Sequence, residues 1–293
     1  MLHAADRPRL HGTIRAIRLI RPLLVLAVLV EPALSLARGN AGPLTLRRAS
    51  TELSASTQLS SGPLAASSYF TCVTTRPLVP RPAARLEAAY GFEEVSGDTT
   101  PNLLGKSSPA TLVNAALTAG RFGKGVELNG TNAYVRIDEP NWPRRDYTYA
   151  IWVFPRLVSA WRAILEIQTP TSQGVEFAIA PGGRIEIWSA GNPRLRNGIP
   201  LPTLAWSHVA VTRAGSLITV FLNGVAQRAG RDGTVFDFGS CPALIGVDAD
   251  LGCAAKLSGF FIGVIDELRI YDCALSASDI RLIMDAPVDR TPK

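Results

Sequence analysis

The feature that most constrains this chain is the run Gly259-Phe260-Phe261-Ile262-Gly263-Val264-Ile265-Asp266-Glu267-Leu268-Arg269-Ile270-Tyr271 near its end. Side chains alternate between the two sides of a strand. Strict alternation puts Ile265, Glu267, Arg269 and Tyr271 on one side and Asp266, Leu268 and Ile270 on the other. The first half is apolar in both parities and reads as covered on both faces, whereas the second half reads as only partly covered. Ser276 followed three residues later by Asp279 is a helix N-cap pattern, and Ile280, Leu282, Ile283 and Met284 give the next segment a short apolar face. A long strand followed by one or two helical turns therefore closes the domain.

Upstream, short strand-like segments follow one another with glycine-bearing turns between them. Asn223-Gly224 is the strongest hairpin signal and Gly182-Gly183 the next. Eleven candidate strands and one short helix predict an all-β sandwich. No glycine-rich loop leads into a helix, which removes the phosphate-cradle motifs.

Residues 1–37 read as a secretory leader: five arginines precede the apolar run Pro22–Val30, and Ser35-Leu36-Ala37 offers small residues for cleavage after Ala37. A single membrane anchor is the alternative, but the apolar run is broken by Glu31-Pro32 and is far shorter than the roughly 20 residues a span needs. Residues 38–85, rich in Ser, Thr, Ala, Pro and Gly without sustained periodicity, read as a disordered linker, with a small extra strand around Ser68–Val73 as the alternative. The domain then spans 86–287, and 288–293 form a tail. Export predicts a secreted, periplasmic or cell-surface location and no membrane span after cleavage.

The chain carries a net charge of +6, but residues 1–85 hold 11 of the basic and 3 of the acidic side chains, which leaves −2 for residues 86–293. The basic excess belongs to leader and linker, so nucleic acid is excluded as a partner of the folded domain.

Five ordered blocks carry a family resemblance. They are Ala89–Gly97, Gly120–Gly130 with Ala133-Tyr134-Val135, Trp206–Thr212, Val220–Gly224, and Ile265–Tyr271 with Ala274-Leu275-Ser276 and Asp279-Ile280. Together they resemble the laminin-G-like, concanavalin A-like lectin/glucanase jelly rolls of secreted bacterial proteins. The resemblance implies a sandwich of two antiparallel sheets with one short C-terminal helix. It leaves function open, since this fold hosts binding modules, structural modules and enzymes.

Retaining glycoside hydrolysis needs two carboxyl groups about 5–5.5 Å apart. In jelly-roll glucanases they stand at alternate positions of one strand. Glu127 is alone on its strand, Asp266 and Glu267 are adjacent and so point to opposite faces, and Glu176 and Glu186 across the Gly182-Gly183 hairpin read as solvated acids. His208, the one histidine downstream of the leader, reads as a packed ring. No catalytic residue is assigned, and the chain is expected not to be an enzyme. The resemblance also implies one calcium ion at the sandwich rim, with Asn102 and Asp266 at the ligand positions, although Asn102 stands where the family has Asp and Lys106-Ser107-Ser108 replaces the usual turn.

Four cysteines in an exported chain favour disulfides. Cys241 and Cys253 flank a short loop and are expected to pair; Cys72 and Cys273 pair if the linker folds back over the strand end, and are otherwise free thiols. For a ligand, sandwich lectins use an aromatic platform edged by polar groups. Trp142 with Arg144, and Trp188 with Asn192 and Arg194, are the candidates. The expected function is a secreted, non-catalytic recognition module for a glycan or an extracellular protein. A structural or adhesion element, and a glycoside hydrolase-like enzyme, are the alternatives.

Overall fold

A computed structural model describes residues 67–73, 83–105, 108–138, 140–170, 174–196, 198–250, 253 and 256–288. The expected leader with its cleavage point after Ala37, the linker at 38–66 and 74–82, Lys106-Ser107 and the tail from 289 lie outside the described residues. No helix among the described residues is long and apolar enough to cross a membrane.

In chain order the strands are β1 (Ser67–Thr71), β2 (Ala83–Tyr90), β3 (Thr99–Thr100), β4 (Ala110–Val113), β5 (Ala116–Ala119), β6 (Lys124–Asn129) and β7 (Tyr134–Ile137). Next come β8 (Tyr147–Pro155), β9 (Arg162–Ile167), β10 (Val175–Ile179), β11 (Ile185–Ser189), β12 (Asn192–Arg196) and β13 (Ser207–Ala214). The last are β14 (Leu217–Leu222), β15 (Val225–Arg231), β16 (Ala243–Ile245), β17 (Asp248–Asp250), β18 (Lys256–Ser258) and β19 (Ile262–Tyr271), followed by the helix α1 (Ala277–Met284).

One antiparallel sheet runs β1-β2-β19-β8-β13-β14-β15, with β6 also on β19 and β5 on β6; the other runs β12-β11-β10-β9-β16-β7-β4-β3. Their facing side chains form one apolar core, to which the first sheet gives Tyr149, Ile151, Val153, Val211 and Ile265 and the second Ile164, Ile167, Phe177, Ile179 and Ile187. Burial of each such side chain contributes roughly 1.5–3 kcal/mol. The expected two-sheet jelly roll with one short C-terminal helix is the fold observed. Asn223 (φ 49°) and Gly224 (φ 72°) make the tight turn between β14 and β15, where Leu222 pairs with Val225.

β19 departs from strict alternation. Its register on β8 shifts between Asp266 and Arg269, and Glu267 takes a left-handed φ of 58°. This is a β-bulge. Ile265, Leu268 and Ile270 consequently share the inner core, while Asp266, Glu267, Arg269 and Tyr271 turn outward. The expectation that Asp266 and Glu267 occupy opposite faces is corrected by the extra residue. The bulge lies where β19 changes neighbour: Ile262–Ile265 pair with β6, and Leu268–Tyr271 with β2. Asp266 Oδ2 fills the gap by accepting from the backbone N–H of Arg121 (2.8 Å) and Phe122 (3.0 Å) in the β5–β6 turn. Glu267 pairs with Arg269 (2.7 Å) and accepts the N–H of Val288, and Arg269 Nη1 donates to the Ile283 carbonyl (2.9 Å). The long strand thereby anchors both the β5–β6 turn and the chain's descent from α1.

Ser276 caps α1 as its spacing predicts, accepting from Asp279 N (3.2 Å), and Ile280 and Ile283 are buried. They close a second apolar cluster on the outer face with Ala150, Ala210, Phe221, Tyr271 and Leu275. Part of the stretch expected as linker is sheet: β1 pairs with β2, and β2 itself starts at Ala83. Cys72, just past β1, is bonded to Cys273, and Cys241 to Cys253. The first disulfide closes a loop of sequence separation 201. Such a crosslink stabilises chiefly by constraining the unfolded chain, typically by about 2–4 kcal/mol. Replacing Cys72 and Cys273 together by Ser is expected to lower unfolding stability by about that amount, read as a reduced urea midpoint with a steeper slope because the uncrosslinked unfolded chain exposes more surface. An unchanged midpoint would mean that β1 contributes nothing to the stability of the sandwich.

Candidate functional site

The second sheet carries charge on its outer face. Cross-strand partners share a face, so the pairings Trp188–Glu176 and Glu176–Glu166 place one indole and two carboxyl groups in a row across β11, β10 and β9. Trp161, just before β9, stands edge-to-face against Trp188, with ring centroids 5.2 Å apart and planes at 89°. Asp248 of β17 comes in from the side. Together these residues line a cleft of about 430 Å³, with Gly174, Pro181 and Gly191 completing the described lining.

Hydrogen bonds fix the walls. Trp161 Nε1 donates to Glu176 Oε1 (3.0 Å) and Trp188 Nε1 to Glu186 Oε2 (3.0 Å). Glu166 accepts from Ala249 N (2.5 Å) and from the Gln168 amide, which also donates to the Ala249 carbonyl. Ser258 Oγ donates to Asp248 Oδ2 (3.0 Å). Burial pushes the Glu166 carboxyl up to about 9, Asp248 adding to the rise; burial likewise pushes Glu176 up to about 8, again with Asp248 adding. Both hold their protons at neutral pH, and the cleft offers hydroxyl-type donors and acceptors beside the two indoles.

The structure distributes the expected site residues unevenly. Trp188 is in the cleft. Asn192 and Arg194 follow on β12, but Asn192 Nδ2 donates to the Ala190 carbonyl (2.8 Å) within its turn and Arg194 leans toward Asp232 (3.9 Å), so neither lines it. Trp142 is not a platform: it is 3% exposed and packs edge-on against Tyr149 in the core (centroids 5.6 Å). The Trp-Pro segment enters the sandwich because its indole fills space beside stacked Tyr147 and Tyr149. Arg144 pairs with Asp237 (2.7 Å) at the rim of a separate, open depression. Glu186 is not a solvated acid: it is 2% exposed and pairs with Arg196. Glu127 is bound by Arg156 (2.6 Å). Sequence reasoning missed Trp161 and Glu166; the available signal was an acid at the centre of each of three successive apolar strands, at 166, 176 and 186.

The two expected calcium ligands are each engaged with a separate backbone turn. Asn102 Oδ1 accepts from Ala89 N (3.1 Å) and Leu104 N (3.2 Å), whereas Asp266 Oδ2 holds the β5–β6 turn. Each oxygen serves its own turn, and calcium requires six to eight oxygens converging. The one tight group of potential ligands among the described residues is Cys72, Asp272 and Cys273. Its sulfurs form a disulfide and Asp272 is held by Arg85 N (2.8 Å), which leaves it a poor fit for a hard cation.

His208 is fully buried beside Trp152 (centroids 5.3 Å), and burial together with Arg269 pushes it down to about 3. It is the packed ring expected from the sequence.

Raised acids and a lowered histidine act oppositely on stability. Glu166 and Glu176 bind protons more tightly folded than unfolded, so their contribution is full below their unfolded values and is lost as pH rises toward about 8 and 9. His208 contributes above its unfolded value of 6.5 and loses that contribution as pH falls toward about 3. Urea midpoints are therefore expected to fall from about pH 6 to about pH 9, with a shallower fall in Glu166→Gln, which keeps the protonated shape without the titration. Equal slopes in the two proteins would contradict the buried environment assigned to Glu166.

Comparison with known structures fits this architecture. Domain 4 of AbnA, an extracellular arabinanase from Geobacillus stearothermophilus in complex with arabinotriose, superposes at a TM-score of 0.56 with 23% identity, over 68% of this chain and 98% of that one. The binding domain of Paraclostridial Mosquitocidal Protein 1 gives 0.54 with 16% identity over 68% and 52%, and a Trypanosoma rangeli sialidase mutant displaying trans-sialidase activity gives 0.52 with 15% identity over 68% and 32%. At these identities the likeness is one of fold. No curated protein sequence matches significantly. The Laminin_G_3 family profile matches residues 129–281, just over half of the chain, which therefore belongs to the concanavalin A-like lectin/glucanases superfamily.

Proposed function

We propose that this chain is an exported, non-catalytic saccharide-recognition module and that the Trp161–Trp188 cleft is its binding site. The observation that carries the reading is the pair of perpendicular indoles whose N–H groups are already held by Glu176 and Glu186. With their edges fixed, the two indoles form one rigid apolar wall of the cleft, and the carboxyl groups of the same lining are placed to meet hydroxyl groups. A saccharide presents that combination of apolar ring face and polar rim. The arabinotriose complex of AbnA domain 4, on the same fold, supports the substrate class, and the basic-apolar leader supports export.

The protonation of the cleft supports binding over hydrolysis. Retaining and inverting hydrolysis both require one ionised carboxylate beside one protonated acid. Glu166 and Glu176 are both raised above neutral, so neither of this facing pair is the ionised partner at neutral pH.

The test is titration of the purified protein, followed by tryptophan fluorescence, with arabino-, xylo-, gluco- and glucosamine oligosaccharides. At least one is expected to bind saturably, with affinity falling roughly tenfold or more in Trp188→Ala and unchanged in Arg144→Ala. Reducing ends should not accumulate above the blank. Their release, abolished in Glu176→Gln, would make the chain an enzyme, and binding indifferent to Trp188→Ala would move the site elsewhere.

A further inference from the structure

We propose that the saccharide taken by the Trp161–Trp188 cleft carries a free amino group, as a de-N-acetylated hexosamine oligosaccharide does. The inference rests on the cleft being the saccharide site and specifies the class of sugar it selects.

Three observations point to an ammonium group. The described lining contributes three carboxyl groups, from Glu166, Glu176 and Asp248, and no basic side chain. The arginines nearest in sequence are committed elsewhere, Arg162 Nη1 to the Phe260 carbonyl (2.8 Å) and Arg196 to Glu186. Gathering three carboxyl groups in one cleft carries a burial cost whenever one of them ionises. An ammonium group repays that cost by pairing with them.

Second, Gln168 lies two residues beyond Glu166 and is 1% exposed. Its amide nitrogen is used by Glu166 and Ala249, but its Oε1 has no partner, and its backbone lies against Gly174 of the lining. The buried acceptor next to Glu166 is thus left open to an N–H donor. Third, the two indole faces attract a cation lodged against them.

The protonation state makes the inference measurable. With Glu166 and Glu176 raised to about 9 and 8, these two acids hold their protons near neutrality in the empty cleft. Entry of R–NH3+ pairs it with a carboxylate and expels the carboxyl proton to solvent, so charge and protons balance: COOH + R–NH3+ gives COO−···+H3N–R + H+. The facing titratable groups are Asp248 of β17, Glu166 of β9, Glu176 of β10 and Glu186 of β11, the last already bound to Arg196. A neutral or N-acetylated sugar binds without releasing a proton.

Isothermal titration with the β-1,4-linked glucosamine trimer and its N-acetylated counterpart, each in phosphate and in Tris at about pH 7, tests this. The amine trimer is expected to bind roughly tenfold or more tightly, with release of about one proton visible as a buffer-dependent heat. Glu176→Gln should remove both the preference for the amine trimer and the proton release; Glu166→Gln serves as a second variant should Glu176→Gln fail to fold. Equal binding of both trimers without proton release, or binding confined to arabino- or xylo-oligosaccharides, would overturn the amine selection and leave the recognition module standing. Absence of binding by every saccharide, with or without binding of cadaverine, would overturn both.

Discussion

The sandwich depends on one buried irregularity, the bulge at Asp266-Glu267 in β19. A regular strand would have to keep a single neighbour along its edge, but β19 passes from β6 to β2, and the extra residue absorbs the change. A left-handed backbone at a glutamate costs on the order of 1–3 kcal/mol. It persists because the side chains it redirects are all used. Asp266 holds the β5–β6 turn, and Glu267 with Arg269 holds the backbone at Ile283 and Val288. A buried ion pair of this kind adds little net stability, but losing one member leaves the other charge uncompensated, typically at about 3–5 kcal/mol. Its role is to specify geometry. Burial pushes Asp266 up to about 8, with Glu267 adding to the rise against the Phe122 and Arg121 N–H groups.

From that fixed first sheet the second takes its position across the common core, and its outer face is free to vary. β9, β10 and β11 each place an apolar side chain inward and an acid outward, and antiparallel register sets Glu176 between Glu166 and Trp188, with Glu186 opposite Ala178. Burial holds Glu166 and Glu176 protonated, with Asp248 adding to the effect. The cleft is thus a rigid, aromatic-walled site whose charge state is set by its neighbours. It is built on strands, which hold geometry more firmly than the loop platforms that lectin analogies bring to mind.

Much of the fold was legible in the sequence because strand period, the Asn223-Gly224 turn and the Ser276–Asp279 cap are local signals, each read from a few consecutive residues. The bulge was not, since it is defined by pairing: only the register against β8 shows that Asp266 and Glu267 share a face. The site was half legible for the same reason. Trp188 drew attention beside Asn192 and Arg194, its neighbours in sequence, whereas its neighbours in space are Trp161, Glu166 and Glu176, fixed by cross-strand register. Trp142 shows the converse error: a Trp among prolines and arginines reads as an exposed loop, and the aromatic stack of Tyr147 and Tyr149 draws it inside.

The account's central claim is that recognition happens in the cleft lined by Trp161 and Trp188 and not at any other tryptophan. The chain has five tryptophans, and their Nε1–H signals in a two-dimensional 1H–15N spectrum report on each separately. Titration with a saccharide that binds is predicted to move the Trp161 and Trp188 signals and leave those of Trp142, Trp152 and Trp206 in place. Saturable binding that moved the Trp142 signal, or moved none of the five, would contradict it.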